Sequence, residues 1–387
     1  MTFDLQRLRA LKDRVAVVGV GASEQGNLPD LDEYTLACRA LSDALDDCGL
    51  GYDDIDGLFV NGPGSISFVR FGEMLGIDPV VGGNFSVGGP AIGPLIHHAA
   101  MLLETGACRC VALVYGNASR NEGRQFGGMT VYNPAQEYAN AFFYYGLTSP
   151  GAASAFQARI HFETYGTTSR QLGAVAVTQR AHARLNPQAI MRDPLTIEQH
   201  QASRYVCEPL HLYDYCLIND GGVALILTTA DRARDLRQRP VLIKGIGRQD
   251  TYRCSSLPNW ALWRDTLPRC ADMAFSTAEV DRSDVDAVMI YDSFSINIWI
   301  ALETFGFCGE GEAGDYTQDG RISLGGDLPV NTHGGHLSES YMQGWLHQVE
   351  AVRQLRGVCG PRQVEDARII PYICRANIGS AIIYGTD

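Results

Sequence analysis

The stretch VAVVGVG at residues 15–21 decides the fold, because the chain repeats its form as VLIKGIG at residues 241–247. Both are apolar runs that end in glycines, which is typical of a buried strand at the start of an α/β unit. A second pair follows at a matching interval, since DDIDGLFVNG at 53–62 corresponds to SDVDAVMIYD at 283–292. Self-similarity at one interval predicts an internal duplication, with two similar halves in one chain.

A third pair is a double glycine before a helical pattern, at residues 88–89 and 334–335, and each half then returns to an apolar strand. Strands that alternate with helices at this spacing predict α/β layers with mostly parallel sheets. The sequence GVGAS at 19–23 contains part of a dinucleotide-binding fingerprint, but it lacks the third glycine and an acidic ribose partner. We therefore interpret its glycines as sites of close strand-to-helix packing.

The region 117–204, rich in tyrosine and glycine, has no counterpart in the second half. We predict an N-terminal half made of residues 1–116 and 205–235, an inserted loop domain at 117–204, and a C-terminal half at 236–387. In such a pseudo-two-fold molecule we expect a site where the helix starts of the two halves converge.

Composition narrows the class of protein. With 387 residues and 45% hydrophobic content, the chain can bury a large core. Its 44 acidic and 31 basic residues give a net charge of -13, which repels nucleic acid and anionic lipid surfaces. The mixed charge of residues 1–14 is unlike a signal peptide, and we expect no membrane span. Eleven cysteines without CxxC pairs favour a reducing compartment, so we expect a soluble, cytoplasmic enzyme.

The segment 165–229 identifies a family. It contains YGTT, RAHARLNPQA, DPLT, SRYVCEPLHLYDYC and DGGVAL, in that order. These motifs resemble the sterol carrier protein branch of the thiolase superfamily, and with the duplicated strands the resemblance covers essentially the whole chain. It implies a duplicated five-layered α-β-α-β-α fold, with region 117–204 as its loop domain.

The nucleophile of that family is missing in this chain. Thiolases carry a reactive cysteine at a helix start, in a motif of the type NxxCxxG. The matching run is NFSVGG at residues 84–89, so Val87 takes the cysteine position. Valine cannot attack a thioester, which removes acyl transfer through a covalent intermediate. Ser86 is the nearby alternative nucleophile, but the sequence places no base beside it.

Two other reactive positions of the family carry tyrosine. The first residue of the NEAF or HDxF motif is Tyr291, in YDSF, and the activating histidine position is Tyr341, while Asn331 and Gly344 are kept. A phenol has a reference pKa of about 10 and can exchange protons if hydrogen bonds or nearby positive charge lower that pKa. Retro-aldol cleavage needs removal of a β-hydroxyl proton and protonation of the enolate, so this pair favours a changed reaction.

With YDSF at 291–294 and SESY at 338–341, the chain resembles the lipid-transfer-protein aldolases of steroid side-chain degradation. The resemblance implies cleavage of a 17-hydroxy steroid C22 carboxyl-CoA to a 17-ketosteroid and propionyl-CoA. Coenzyme A enters as part of the substrate, and no other cofactor is implied. Tyr291 and Tyr341 are the predicted catalytic pair, without a division into acid and base.

The resemblance also implies residues that support the catalytic pair. Backbone N–H groups near Val87, Gly88 and Gly379 are expected to bind the thioester oxyanion. Asn377 keeps the asparagine of the family's HNxG form. His333 and His336 flank the second double glycine and either tune a tyrosine or serve as polar loop residues. We predict no metal site, and we interpret Cys374 as a structural buried cysteine.

Two alternatives stay open. One is a thiolase-like enzyme that acts on another acyl-CoA, for example an aromatic one. The other is a non-catalytic acyl-CoA-binding or lipid-binding subunit, in which the tyrosines are pocket wall. The resemblance also implies a homodimer that recruits a small partner with a zinc ribbon and an OB-fold, with two copies of each chain.

Overall fold

The computed structural model describes residues 4–62, 66–85, 88–123, 149–250, 266–375 and 378–386. The strands are β1 (Val15–Ala22), β2 (Gly57–Asn61), β3 (Val81–Asn84), β4 (Cys110–Asn117), β5 (Tyr205–Cys207), β6 (Leu210–His211), β7 (Gly221–Thr229), β8 (Val241–Asp250), β9 (Met289–Ile290), β10 (Ile369–Cys374) and β11 (Ile378–Gly385). The helices are α1 (Leu5–Arg9), α2 (Glu33–Cys48), α3 (Phe68–Leu75), α4 (Ile92–Glu104), α5 (Pro150–Tyr165), α6 (Ser169–Leu185), α7 (Ile197–Ala202), α8 (Ala230–Ala233), α9 (Leu267–Ala278), α10 (Ile296–Thr304), α11 (Ala313–Gln318), α12 (Gly335–Ser338) and α13 (Trp345–Arg356).

The strand order repeats between the halves. The hydrogen-bonded order is β3-β2-β4-β7-β1-β8-β11-β10-β9. In the first half, β7 runs antiparallel to β1 and β4, and β2 runs parallel to β4 and β3. In the second half, β11 runs antiparallel to β8 and β10, β9 runs parallel to β10, and a parallel Val288–Val330 bridge stands where β3 stands in the first. The predicted duplication is confirmed.

The expectation of mostly parallel sheets is wrong, because the sheet is mixed. Strands β10 and β11 are neighbours separated by residues 375–377 alone, and so short a connection can join adjacent strands only in antiparallel fashion. The halves meet where β1 pairs antiparallel with β8, at Ala16–Leu242 and Val17–Val241.

Side chains of alternate direction divide the core into layers. In β1, Val15 and Val17 face a central cluster that also contains residues of α4 and α13, including Leu95 and Val349. Ala16 and Val18 face the opposite side, in a cluster with α2. A third cluster places α9 and α10 against the outer face of the second half. Helices therefore form one layer outside the first half of the sheet, one layer between the two halves and one layer outside the second half. This arrangement confirms the predicted five-layered α/β fold.

The glycines of the two repeated strands allow helices to approach closely. A Cβ at Gly19 or Gly21 in β1 would overlap backbone atoms of α2, and a Cβ at Gly245 or Gly247 in β8 would overlap backbone atoms of α9. The interpretation of these glycines as packing sites is confirmed, and it applies equally in both halves.

Helices α5 to α7 contact the second half through buried polar groups. His161 of α5 lies 3.0 Å from Glu303 of α10, measured from Nε2 to Oε1. His200 of α7 lies 3.1 Å from Asp214, which also accepts a 2.6 Å hydrogen bond from the Ser295 hydroxyl. These contacts fix the start of α10 beside the predicted YDSF motif. The predicted boundaries of the loop domain stay a prediction.

Among the helices of the described ranges, we find none with the length and apolar character needed to cross a membrane.

Candidate active site

Tyr291 lies directly after β9, where its backbone is held on both sides. Its N–H donates to the Ile373 carbonyl at 2.8 Å. The side chain of Asn331 accepts from the N–H of Ile290 at 2.7 Å and donates to the Ile290 carbonyl at 2.8 Å. Asn331 has a φ of 51°, a left-handed conformation that asparagine tolerates better than most residues. This amide acts as a substitute strand partner and fixes the point at which Tyr291 leaves the sheet.

Tyr341 lies in the loop between α12 and α13. Its N–H donates to Oδ1 of Asn219 at 2.8 Å, and Nδ2 of Asn219 donates to the Ser340 hydroxyl at 2.6 Å. Asn219 precedes β7 of the first half. The loop that carries Tyr341 is therefore anchored by a residue from the other half of the molecule.

The two predicted tyrosines meet. Their hydroxyl oxygens are 2.9 Å apart, and the residues are only 6% and 8% exposed. A Cβ at Gly89 would collide with the Tyr291 hydroxyl and would lie 3.4 Å from the Tyr341 hydroxyl. Gly89 begins the short 3-10 turn that leads into α4. The phenols thus lie at the start of a central helix, where the backbone carries partial positive charge.

Burial sets the protonation state of the pair. It raises the pKa of Tyr291 well above the usual value, and the neighbouring Tyr341 acts in the same direction. Burial likewise raises the pKa of Tyr341, followed by the effect of the nearby Cys216 thiol. The lowering of the pKa that the sequence analysis named as a condition for proton exchange is not found in this arrangement, because removal from water is the largest effect on both phenols. Both phenols are neutral.

His336 packs between the two tyrosines. Its ring centroid is 4.8 Å from each phenol ring, in edge-to-face contacts at 80° and 68°. Its Nε2 accepts the N–H of Gly344 at 2.8 Å, so the neutral ring carries its proton on Nδ1, 3.4 Å from Oδ1 of Asp292. Among the described contacts, His336 touches the tyrosines through its ring and uses its nitrogens elsewhere.

His333 is also buried, with 1% of its surface exposed, so neither histidine faces solvent. The His333 ring lies 4.6 Å from the ring of His347, and its Nε2 is 3.6 Å from Oε2 of Glu339. Burial and the neighbouring histidines hold the pKa of His333 well below its ordinary value. His333 is thus one layer removed from the phenols.

Asp292, His336 and His347 form a buried group whose potential ligand atoms lie within 4.8 Å of one another. A metal ion would need a free lone pair on each of them. The Nδ1 of His336 carries a proton, because its Nε2 accepts from Gly344, and Nε2 of His347 points at Oδ1 of Asp292 at 3.0 Å. The geometry is that of a hydrogen-bonded set, and we assign no metal to it.

The residues predicted to bind the oxyanion lie in different parts of the molecule. Gly88 is the residue before Gly89, and its φ of 73° is a conformation that favours glycine. Gly379 lies in β11 opposite Gln249, and its open side faces Leu267 of α9. Val87 and Asn377, with Ser86, lie outside the described residues.

Comparisons with known proteins agree with this architecture. Residues 247–375 match the family model "Thiolase C-terminal domain-like". The chain is 38% identical over 360 residues to 17-hydroxy-3-oxo-4-pregnene-20-carboxyl-CoA lyase of Mycobacterium tuberculosis, which covers 90% of this chain and 92% of that one. It is 34% identical over 363 residues to the steroid side-chain-cleaving aldolase of Thermomonospora curvata, with 90% and 92% covered. A solved structure named Ltp2-ChsH2(DUF35) aldolase superposes with a TM-score of 0.88 at 32% identity, over 98% of this chain and 99% of that one.

The chain belongs to the thiolase superfamily, in its sterol carrier protein and lipid-transfer branch. The resemblance found from the sequence motifs is confirmed. All three of these proteins are aldolases or lyases by name.

In this thiolase-superfamily chain, the described thiols near the phenols are poor nucleophiles. Cys374 is fully buried, and burial raises the pKa of its thiol to about 12. Burial also raises the pKa of Cys216, whose N–H donates to the Ser293 carbonyl at 3.0 Å. A thiol that stays protonated does not attack a thioester readily. The interpretation of Cys374 as structural agrees with this burial.

Sequence analysis missed several residues of the site. Arg375 is buried and donates to Oε1 of Gln157 at 2.6 Å and to Oδ1 of Asn297 at 3.1 Å, and burial lowers its pKa to about 10. Asn297 donates in turn to the Ser293 hydroxyl at 2.9 Å. This chain of contacts holds the YDSF segment from the side of α5. Asp292 stood in a recognised motif, but nothing local in the sequence indicated its partners on α13.

Proposed function

We propose that this chain is an aldolase that cleaves a β-hydroxyacyl-CoA by a retro-aldol reaction, with Tyr291 and Tyr341 as the proton-transfer pair. The observation that carries the proposal is the 2.9 Å hydrogen bond between the two buried phenols, at the start of α4. The sequence has valine where the family's nucleophilic cysteine would stand. A pair of proton carriers without a nucleophile suits cleavage of a carbon–carbon bond beside a thioester better than acyl transfer.

The direct contact between the phenols allows a relay in which neither becomes a free phenolate. One phenol oxygen accepts the β-hydroxyl proton while it passes its own proton to the second phenol. The β-carbon becomes a carbonyl, and the electron pair of the broken carbon–carbon bond moves into the thioester enolate. The second phenol gives its own proton to the α-carbon in the same step, as the enolate develops, so neither oxygen carries two protons and no proton is gained or lost overall. This relay suits two groups whose pKa values are both raised by burial.

The start of α4 supports the enolate. This helix start carries partial positive charge toward the site, and the Gly89 N–H is the proposed donor to the enolate oxygen, because Pro90 has no N–H and the Ala91 N–H donates to the Gly88 carbonyl at 3.2 Å. Gly89 brings this backbone against the phenols without a side chain in between. Preorganised N–H groups of this kind lower the barrier for a developing oxyanion.

We propose a 17-hydroxy steroid C22 carboxyl-CoA as the substrate, with a 17-ketosteroid and propionyl-CoA as products. The names of the two similar proteins, a 17-hydroxy-3-oxo-4-pregnene-20-carboxyl-CoA lyase and a steroid side-chain-cleaving aldolase, support this choice.

The test is detection of both products by mass spectrometry, with wild type, Tyr291→Phe and Tyr341→Phe. We expect cleavage by wild type and a loss of roughly 10²- to 10⁴-fold in each variant, the range for removal of a general acid or base. Tyr205→Phe is the matched control, because that tyrosine is 51% exposed. Retained acyl-CoA binding in the inactive variants would show an intact pocket. Equal turnover in all four proteins would overturn the assignment of the pair, and binding without turnover in wild type would favour the binding-subunit alternative.

We further propose a homodimer that recruits a small zinc-ribbon and OB-fold partner, with two copies of each. Strand β3 is an outer strand of the sheet, and beside it Val69, Met74 and Val80 are 53%, 53% and 76% exposed. An open strand edge next to apolar side chains needs a cover, which a second copy can supply. The partner is supported by the name of the Ltp2-ChsH2(DUF35) structure.

Light scattering on the purified chain, alone and with such a partner, tests the assembly. We expect the mass of two chains alone and of two plus two with the partner. A monomer at micromolar concentration, unchanged by Met74→Glu, would contradict the proposed dimer face.

A further inference from the structure

Two hydrogen-bond acceptors face the same point behind the phenols. A Cβ at Gly335 would collide with Oδ2 of Asp292 and would lie 2.8 Å from Oε1 of Gln179. The orientation of the Gln179 amide is fixed, because its Nε2 donates to the Val330 carbonyl at 3.1 Å. Neither oxygen accepts a hydrogen bond from any residue in the described ranges. Both side chains are fully buried.

The other oxygen of Asp292 is surrounded by donors. Oδ1 accepts from the backbone N–H of His336 at 2.9 Å and from Nε2 of His347 at 3.0 Å, and Nδ1 of His336 lies 3.4 Å away. The two oxygens of one carboxyl group therefore have opposite surroundings. Such asymmetry is expected of a carboxylic acid, whose carbonyl oxygen accepts and whose hydroxyl donates.

The groups that pack on Asp292 do not outweigh the effect of burial, although the hydrogen bond and the charge of His347 both act to lower the pKa of the carboxyl group. They are His336 of α12, His347 of α13, Gln179 of α6 and the Cys216 thiol. Burial lowers the pKa of His336 well below its ordinary value, so that ring is neutral. Burial is also the largest influence on Asp292, and it raises the pKa of that carboxyl group. An isolated carboxylate at this depth would be costly, and a proton removes the cost.

We propose that Asp292 is a neutral carboxylic acid that positions the catalytic pair: its Oδ2–H donates to Oε1 of Gln179, and its Oδ1 orients His336. The ring of His336 contacts both phenols, so its orientation sets how the two hydroxyls meet. A neutral Asp292 also keeps negative charge away from the enolate. This role rests on the proposed aldolase reaction, whereas the protonation state does not.

The test replaces Asp292 by asparagine, which has the shape of a protonated aspartic acid and no charge. Asp292→Asn keeps an acceptor at Oδ1 and places an N–H donor toward Gln179, while Asp292→Ala removes both. We expect Asp292→Asn to keep kcat within about threefold of wild type, and Asp292→Ala to lower kcat by roughly 30-fold or more with KM little changed. Asp292→Asn as impaired as Asp292→Ala, with both folded, would show that the charge is needed and would overturn the proposal.

A second readout does not depend on turnover. Infrared spectroscopy of wild type labelled with ¹³C-aspartate should show a carboxylic acid C=O band at mildly alkaline pH, and Asp292→Asn should lack that band. Only carboxylate bands in wild type would overturn the protonation state, whatever the substrate proves to be. If the acid band is present but no substrate is cleaved, the proposed function fails and this inference about the buried acid stands.

Discussion

The two halves of the chain share one topology but contribute opposite things to the site. In the first half, Asn61 ends β2, and its side chain donates to the Phe85 carbonyl, while glycines precede α4. In the second half, the position that matches Asn61 is Tyr291, and Tyr341 and His336 precede α13. The first half supplies backbone and space, and the second supplies side chains. A pseudo-symmetric frame thus carries an asymmetric site.

Space is the reason for this division. The starts of α4 and α13 converge in the centre of the molecule, and a Cβ at Gly89 would already overlap a phenol. If both helix starts carried large residues, the two phenols could not approach to 2.9 Å. The absence of a side chain at Gly89 in the first half is therefore what allows the two tyrosines of the second half to meet.

The largest expected effect comes from Gly89→Ala. The new Cβ would collide with the Tyr291 hydroxyl. Tyr291 cannot easily move away, because it directly follows β9 and its backbone N–H is bonded to the Ile373 carbonyl. We expect kcat to fall by roughly 100-fold, as for other small displacements of a reacting group, with the fold retained. Steady-state kinetics with circular dichroism checks this.

The matched control is Gly51→Ala, because a Cβ at Gly51 would meet no atom within 4 Å. That variant should be fully active. Full activity in Gly89→Ala would contradict the division between the halves, because it would show that the phenols do not need the space that the first half leaves at Gly89.

An intermediate effect is expected from the paired asparagines. Asn331→Ala removes both hydrogen bonds to the buried Ile290 backbone, so we expect a loss of about 2–4 kcal/mol in the free energy of unfolding. Asn84, at the end of β3 in the first half, is exposed and bonds the backbone of Ile66 and Phe68, and Asn84→Ala should cost about 1 kcal/mol. Denaturant unfolding measures both, and equal losses would mean that the halves depend equally on this device.

The last expected effect is on the pH dependence of stability, and it concerns the buried acids of the second half. Burial raises the pKa of Glu339 to about 8, followed by the effect of the nearby Glu350. A folded pKa above the unfolded value of about 4.3 gives stability that is present at low pH and is lost as pH rises toward 8. We expect the melting temperature of wild type to fall more between pH 5 and pH 8 than that of Glu339→Gln.

The exposed Glu73→Gln serves as its control and should follow wild type. Identical pH profiles for all three proteins would mean that Glu339 is ionised in the folded chain.

The sequence was sufficient to predict the duplicated fold and the two tyrosines that meet, because both depend on short sequence motifs. The glycines of β1 and β8 and the two tyrosines occupy recognisable motif positions. The antiparallel course of β11 was missed, because periodicity does not reveal a strand's direction. The direction of the phenol pKa shifts could not be predicted from the sequence, because desolvation depends on the whole surrounding core. The partners of Asp292 come from α6, α12 and α13, which no spacing rule connects.

The 2.9 Å contact between the phenols also bears on stereochemistry. A thioester enolate is planar and can be protonated from either face. Two hydroxyls this close together reach the substrate from one side, which in the proposed reaction is the side where the carbonyl fragment departs. The new carbon–hydrogen bond then takes the place of the broken carbon–carbon bond, with retention of configuration at the α-carbon, and in heavy water the acyl product is a single deuterated enantiomer.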